Sequence, residues 1–371
     1  MRNLRACTVG EDVVNEGRYV PAVLASDWYN AEESEEKAIV LDTGNTSAIY
    51  SVAFHPDGAY LFSAARDGVR RWRVADGQEV GTGMGTGWTT AMSVSRDCKW
   101  IVCGTFEGAS VWDAKTQEKA IEVEGGSFVN TVDISPDSTR FATCTEASHE
   151  KGSITIWNTL TGERLVGPLQ HVGAVRGIKF SPNGERIATV CQAENSLHVF
   201  DSHNGGQLVK INGIGFSYGW SSTTPLAWSP SNREQIFLGS GNSKIMSFDV
   251  STGSELAEWQ VHNAGDVVSI ALAANRKFLA TFTGNSAGIS FWDTSTHSQI
   301  GSVIQDSQRI WSIALSPDCS YLATGGFNGN ITIRNLSNVL PHSYIPSLVS
   351  ICAFTMFARR ISYTFSSLSW H

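Results

Sequence analysis

Short apolar runs separated by turn signals recur along most of the chain. Residues 49–80 contain three such runs: the first ends at Pro56-Asp57-Gly58, the second at Asp67-Gly68, and the third carries Trp72. Strands of about 4–6 residues joined by tight turns are typical of an antiparallel meander. So small a sheet cannot bury both of its faces, so it needs similar sheets to pack against.

The chain supplies six further copies of this pattern. In each copy the third run ends at a large side chain followed by Asp or Asn: Trp112-Asp113, Trp157-Asn158, Phe200-Asp201, Phe248-Asp249, Trp292-Asp293 and Arg334-Asn335. Trp72 and Arg334 are 262 residues apart, which over six intervals gives about 44 residues per repeat. Four short strands in about 40–45 residues is the spacing of a propeller blade.

These repeats resemble those of the WD40 family. The resemblance rests on the Trp-Asp pairs at 112–113 and 292–293 and on the turns Ser135-Pro136-Asp137 and Ser181-Pro182-Asn183-Gly184. Divergent repeats of this kind are also similar to those of large fungal-type WD40 repeat proteins. The resemblance implies an all-β fold, a seven-bladed WD40-like β-propeller over residues 38–338.

The segment 38–42 predicts how the ring closes. It has the layout of the outer strand predicted over 165–169, but no blade precedes it, and the last repeat has no fourth strand of its own. We therefore expect this N-terminal strand to complete the last blade, which would leave no open sheet edge between the chain ends.

The two ends of the chain fit no repeat. Between Glu11 and Lys37 there are eight acidic residues and two basic ones, so we predict a disordered acidic tail over 1–37. The alternative is an acidic partner-binding segment or an inhibitory flap. Residues 339–371 are predicted to be an irregular apolar extension, either packed under the ring or translated from noncoding sequence. The apolar stretch 344–358 is shorter than the roughly 20 residues needed to span a bilayer.

Composition narrows the functional classes. The formal net charge of −8 argues against a basic nucleic-acid footprint, so no nucleic acid is expected as a partner. Seven scattered cysteines without a Cys-x-x-Cys pair indicate reduced core thiols. No run near the start is apolar enough for a signal peptide. We therefore predict an intracellular protein, cytoplasmic or nuclear, without a membrane anchor.

The sequence offers little that is typical of catalysis. The glycine-rich stretch 79–88 satisfies neither phosphate-binding motif and is predicted to be a flexible connection between blades. The nine histidines fall singly, and the strands expected to line the central channel offer only Asp133 and Lys179 as charged side chains. We expect no enzyme activity, no metal site and no cofactor. The alternative is a propeller hydrolase or lyase that binds a small ligand at the channel mouth.

The family resemblance implies a partner-binding face formed by the connections between blades and by the turns between second and third strands. Aligning the repeats places ten candidate residues there: Tyr50, Arg66, Trp88, Phe106, Phe128, Asn130, Arg176, Arg309, Trp311 and Phe327. Aromatic residues and arginine are enriched at interface hot spots. We predict a non-catalytic scaffold or adaptor that docks protein partners, including acidic peptide segments, on this face. For each aromatic residue, packing against the neighbouring blade is the alternative.

The resemblance also has a gap. WD40 blades often bury a hydrogen-bonded set of His, Ser or Thr, Asp and Trp, and no repeat here has all four. In the fourth repeat His171 and Thr189 are present, but Phe200 replaces Trp and Glu194 stands near the turn. Blades without this network depend more on apolar packing.

Overall fold

Seven antiparallel sheets contain nearly all the regular structure in the computed structural model of the chain. The structure describes residues 38–44, 47–124, 128–148, 151–215, 225–229, 235–241, 243–261, 267–284 and 288–345. In these residues the only helix is a 3-10 turn at Leu336–Asn338. The sheets are the seven blades of a β-propeller, as the sequence predicts.

The strands in chain order are β1 (Ile39–Leu41), β2 (Ser51–Phe54), β3 (Tyr60–Ala65), β4 (Gly68–Arg73), β5 (Thr89–Val94), β6 (Trp100–Thr105), β7 (Gly108–Asp113), β8 (Lys119–Glu124), β9 (Phe128–Ile134), β10 (Arg140–Ser148), β11 (Lys151–Asn158), β12 (Arg164–Val172), β13 (Val175–Phe180), β14 (Arg186–Cys191), β15 (Ser196–Asp201), β16 (Gln207–Asn212), β17 (Leu226–Ser229), β18 (Gln235–Ser240), β19 (Lys244–Asp249), β20 (Ser254–Gln260), β21 (Val267–Leu272), β22 (Phe278–Thr283), β23 (Gly288–Asp293), β24 (Gln299–Gln305), β25 (Ile310–Leu315), β26 (Tyr321–Gly326) and β27 (Ile331–Asn335). Blade 1 contains β2–β4, and blades 2 to 6 each take the next four strands. Blade 7 contains β25–β27 together with β1. The first strand of each blade contacts the first strand of the next, and β25 contacts β2, so the inner strands form a closed ring.

The N-terminal strand closes that ring. β1 pairs antiparallel with β27, with Ile39 opposite Ile333 and Leu41 opposite Ile331. Leu41 is buried in one apolar cluster with both of these isoleucines. The predicted completion of the last blade by 38–42 is therefore confirmed.

The glycine-rich segment does more than connect two blades. It runs along the open edge of β4, where Met84 donates to the carbonyl of Val69 (2.7 Å) and accepts from its N–H (3.1 Å). Met84 is buried between blades 1 and 2. A Cβ on Gly68 would lie 2.2 Å from the Met84 carbonyl oxygen, so only glycine permits this approach. The segment thus occupies the fourth-strand position that blade 1 lacks.

The core lies between neighbouring blades. Phe62 of blade 1, for example, packs with Ile101 and Cys103 of blade 2. Leu61, the residue before Phe62, faces the other side of the same sheet and packs with Ile331 of blade 7. Both faces of each central strand are covered, and for this reason these strands read as continuous apolar runs rather than as an alternating pattern.

Cysteines add to this core. The five that the structure describes are free thiols, and four of them are buried. Burial raises the pKa of the Cys103 and Cys144 thiols, which keeps them protonated and unreactive.

After β27 the chain continues along one end of blade 6, the end that carries the turns after its first and third strands. Leu340 is buried in the same apolar cluster as Phe278. The hydroxyl of Tyr344 donates to Asp293 Oδ2 (2.7 Å), and Asn275 donates to the Tyr344 carbonyl (2.6 Å). The predictions for 1–37 and for the extension beyond residue 345 fall outside the described residues. In the residues that are described, no helix has the length and apolarity to cross a membrane.

Candidate functional site

The antiparallel order of the strands puts two kinds of connection on one face of the ring. Turns between second and third strands lie at the same end of a blade as the segments leading into the next blade, while turns after first and third strands lie at the opposite end. Tyr50 directly precedes β2 and Trp88 directly precedes β5, whereas Phe106 follows β6 and Phe327 follows β26. Connections from the three consecutive blades 7, 1 and 2 therefore meet on this face.

Six of the candidate residues form one continuous row, which we call the aromatic arc. In order around the ring, the arc consists of Phe327, Trp311, Tyr50, Trp88, Phe106 and Phe128. Successive ring centroids are 6.3, 5.8, 6.1, 4.5 and 4.4 Å apart. Such distances are those of packed aromatic pairs, so the rings support one another across blades 7, 1, 2 and 3.

The aromatic arc is not simply core packing. Phe327 is 58% exposed, Phe106 is 45% exposed and Trp88 is 37% exposed. Tyr50, Phe128 and Trp311 are half-buried beneath or beside them. Scattered exposed apolar side chains are common in proteins, but a contiguous exposed aromatic row is typical of an interaction surface.

Two arginines flank the aromatic arc. The guanidinium carbon of Arg66 lies 4.8 Å from the ring centroid of Trp88, and that of Arg309 lies 5.8 Å from the ring centroid of Trp311. Both arginines are exposed, and neither forms an ion pair with any described residue. Stacking on an indole holds each cation in place while its N–H groups still face solvent.

Two of the ten candidates do not join the arc. Asn130 is only 5% exposed, and its Nδ2 donates to the Val175 carbonyl (3.5 Å), so it links blades 3 and 4 instead of facing solvent. The prediction that Asn130 lies on the accessible face is wrong. This residue lies inside β9, which begins at Phe128, and its side chain is buried against blade 4. Arg176 is half-buried, and its Nε donates to Gln192 Oε1 (2.8 Å).

The central channel has a volume of about 520 Å³ and is lined by the first strands. Its two charged candidates pair with each other, because Lys179 Nζ lies 2.7 Å from Asp133 Oδ1. The other oxygen, Asp133 Oδ2, accepts from the backbone N–H of Phe180 (2.8 Å). Both carboxylate oxygens are thus already engaged within the protein.

A second polar cluster lies where blades 3 and 4 meet, and we call it the seam cluster. It consists of His171 near the end of β12, Glu194 in the turn after β14, and His198 on β15. One ligand atom from each residue lies within 4.8 Å of the other two. Since the histidines fall singly in the sequence, only the pairing of strands across two blades brings these residues together. One sign of this cluster is present in the sequence: the fourth repeat lacks the complete buried set of His, Ser or Thr, Asp and Trp that is common in the family.

Comparison with known proteins identifies the family to which these repeats belong. The family described as "WD domain, G-beta repeat" matches residues 37–69, 118–158, 164–201 and 297–335. Three of the matches start on the outer strand of one blade and continue through the three inner strands of the next, and the match over 37–69 starts with β1 and ends at the beginning of β4. The chain is a WD40-repeat protein. The offset between sequence repeat and blade explains why the first outer strand, β1, is left over to complete blade 7.

Curated WD40 relatives are distant. Periodic tryptophan protein 2 homolog from Dictyostelium discoideum is 26% identical over 66% of this chain and 26% of its own length. Eukaryotic translation initiation factor 3 subunit I from Aspergillus terreus is 23% identical over 65% of this chain and 61% of its own length. WD repeat and SOCS box-containing protein 1 from Danio rerio is 29% identical over 31% of this chain and 25% of its own length. The matched region thus spans less than two thirds of each of these relatives.

Proposed function

We propose that this WD40 protein is a non-catalytic scaffold that docks an extended acidic segment of a partner protein across the aromatic arc. The observation that carries the proposal is the arc itself, six rings in mutual contact with an exposed arginine over each of two indoles. Because WD40 propellers are generally protein-interaction scaffolds, the family supports the same assignment. The subunit name carried by one relative also fits a protein that works within an assembly.

The charges on the face favour an acidic occupant. Asp67, the acidic residue nearest Arg66 in the chain, is bonded to Arg70 (2.6 Å), so it does not neutralise Arg66. A carboxylate that approaches Arg66 or Arg309 would form a charge-assisted hydrogen bond, and apolar side chains between the carboxylates would cover Trp88 and Phe327. The docked segment is therefore expected to alternate acidic and apolar residues.

An enzymatic role has less support. The alternative of a small ligand at the channel mouth needs a free acid, base or metal near the axis. Three of the described channel residues are charged: Asp133 and Lys179 neutralise one another, and Arg96 carries a guanidinium, which stays protonated and cannot serve as a base. An intracellular location remains part of the proposal.

Selection from a random peptide library displayed on phage tests the docking face. The bait is the full chain, and enriched peptides are then measured against variants by fluorescence anisotropy. We expect enriched peptides to carry acidic and apolar residues, and the variant Trp88→Ala, Phe327→Ala, Arg309→Glu to weaken binding at least tenfold, as loss of one hot spot does. Added salt should weaken binding as well.

A matched control lies on the opposite face. Leu160 follows β11 and is 69% exposed, and Arg164 begins β12, so the variant Leu160→Ala, Arg164→Glu makes comparable changes at the other end of blade 3. Peptide affinity should be unchanged in this control. Failure to enrich any acidic peptide, or equal loss in both variants, would overturn the proposal, provided circular dichroism shows both variants folded.

A further inference from the structure

The seam cluster contains a buried histidine that the protein alone does not satisfy. His171 is 4% exposed, and neither of its ring nitrogens has a hydrogen-bond partner among the described residues. Its ring meets that of His198 edge-on, with centroids 4.6 Å apart. A buried polar group left unpaired is costly, so an imidazole held in this position calls for a ligand.

His198 is oriented as a metal-binding histidine would be. Its Nδ1 lies 3.2 Å from Gln207 Oε1, an acceptor, so Nδ1 carries the proton and Nε2 carries the lone pair. Nε2 then faces Glu194 Oε2 at 3.3 Å and accepts from the Ser196 hydroxyl at 2.8 Å. A cation bound to this lone pair and to Glu194 Oε2 would take the place of the Ser196 hydroxyl proton. A hydrogen bond from the outer ring nitrogen is the usual means of fixing a metal-binding imidazole.

We propose that His171, Glu194 and His198 bind one zinc-class divalent cation at the seam between blades 3 and 4. Two imidazoles and a carboxylate suit zinc, whose bond lengths of about 2.0–2.1 Å place tetrahedral ligand atoms about 3.3 Å apart. The His198–Glu194 separation already has this value. His171, whose ligand atom lies within 4.8 Å of the other two, closes the third position by a small shift, and water fills the fourth.

Such an ion would tie two blades together. His171 belongs to the outer strand of blade 3, whereas Glu194 and His198 belong to blade 4. In WD40 blades with the full buried set, a Trp and its hydrogen bonds link these elements. Phe200 stands at that position here and has no N–H group to donate. The site goes beyond the scaffold function proposed above and is independent of the aromatic arc. It departs from the expectation, drawn from the sequence, that the chain has no metal site.

Lys210 competes with the cation. Its Nζ bonds to Glu194 Oε2, the same oxygen that faces His198, while Glu194 Oε1 accepts from the backbone N–H of Val172 (3.0 Å). Metal binding therefore displaces the ammonium group of Lys210 into solvent, toward which this side chain is already partly exposed. Removing the lysine charge should make the site bind more tightly.

Isothermal titration of the chelator-treated full chain with zinc sulfate at pH 7.5 tests the site. We expect one zinc per chain with a dissociation constant of micromolar or lower, and cobalt(II) should give the visible absorption of a tetrahedral complex. Glu194→Gln keeps the shape of the side chain and removes its charge, and His171→Ala removes a ligand. Each should weaken binding at least tenfold, whereas Lys210→Met should strengthen it.

His342→Ala provides the control, because His342 is an exposed histidine far from the seam cluster in the chain. Its affinity for zinc should match that of the wild type. The proposal is overturned if the wild type binds no zinc at equimolar concentration, or if Glu194→Gln and Lys210→Met both leave the affinity unchanged. Should His171→Ala fail to fold by circular dichroism, the two remaining variants still decide.

Discussion

At the scale of single residues, the blades keep part of the buried network of their family and replace the rest. The indole N–H of Trp72 donates to Ser63 Oγ (2.8 Å), and Trp157 and Trp292 donate likewise to Thr143 and Thr281 (2.9 and 3.0 Å). The bond between the second and third strands therefore persists in blades 1, 3 and 6. Where this hydrogen bond is present, the indole N–H of the tryptophan has an acceptor inside the core.

Blade 7 replaces this network with a buried ion pair. Arg334 stands where other blades have Trp, and its Nη1 lies 2.9 Å from Asp306 Oδ2. The same oxygen accepts from the Thr324 hydroxyl (3.0 Å). Both charged residues are buried, so neither side chain can reach solvent when the other charge is removed.

Asp306→Asn should therefore destabilise the protein strongly. Breaking a buried ion pair by removing one of its two charges costs about 3–5 kcal/mol in the free energy of unfolding. Urea denaturation measures this change. Asp76→Asn is the matched control, since Asp76 pairs with Arg73 at 2.7 Å on the surface and its loss should change the free energy far less. Equal effects of the two substitutions would contradict a structural role for the buried pair.

At the scale of elements, the segment after β27 is fastened to blade 6 by Tyr344. Partial burial alone would raise the pKa of Asp293, but hydrogen bonds from Ser295, Thr296 and Tyr344 hold that pKa well below its ordinary value of 3.8. A carboxylate whose pKa is lowered by folding stabilises the fold above its unfolded pKa, and this stabilisation is lost as the pH falls below that value.

Tyr344→Phe should lower the free energy of unfolding by about 1 kcal/mol at pH 7, because it removes a hydrogen bond to a charged group. The difference from the wild type should shrink as the pH falls below 3.8 toward the lower pKa of folded Asp293. Urea denaturation across this pH range measures both effects. Tyr321→Phe is the control, as no hydrogen bond of the Tyr321 hydroxyl is found in the described residues, and a pH-independent difference for Tyr344→Phe would contradict the coupling.

At the scale of the whole molecule, stability depends on closing the ring. β1 supplies the outer strand of blade 7 from the other end of the sequence, pairing residues nearly three hundred positions apart. Thr43, just after β1, adds a hydrogen bond from its hydroxyl to the Gly329 carbonyl (2.7 Å). Opening this contact would expose both an unpaired strand edge and the apolar face around Leu41.

Deletion of residues 1–42 should therefore lower the thermal midpoint of the entire ring in a single transition. Deletion of residues 1–36 is the matched control, because it keeps β1 and its contacts and is expected to leave the midpoint unchanged. Differential scanning calorimetry measures both. If the two truncated chains melt at the same temperature, closure by β1 does not contribute to stability.

The sequence by itself determined the fold and its closure. Apolar runs, turn residues and the repeat length are local properties, and seven copies of one pattern leave a single stable arrangement in which each sheet is covered by the next. Repetition also put Tyr50 and Trp311 at one aligned position, Trp88 two residues earlier in its repeat and Phe327 beside a hairpin turn. Their common face followed from this alignment together with the family resemblance.

The tertiary structure decided what repetition does not encode. Asn130 occupies an aligned position but is buried, because exposure depends on how far β9 extends and on which neighbour covers it. The segment 79–87 became an edge element because β4 had no fourth strand, and a glycine at position 68 permits close approach. The seam cluster joins residues of blades 3 and 4, and Asp306, in the connection after β24, pairs with Arg334 of blade 7. Such contacts arise only when neighbouring blades pack together.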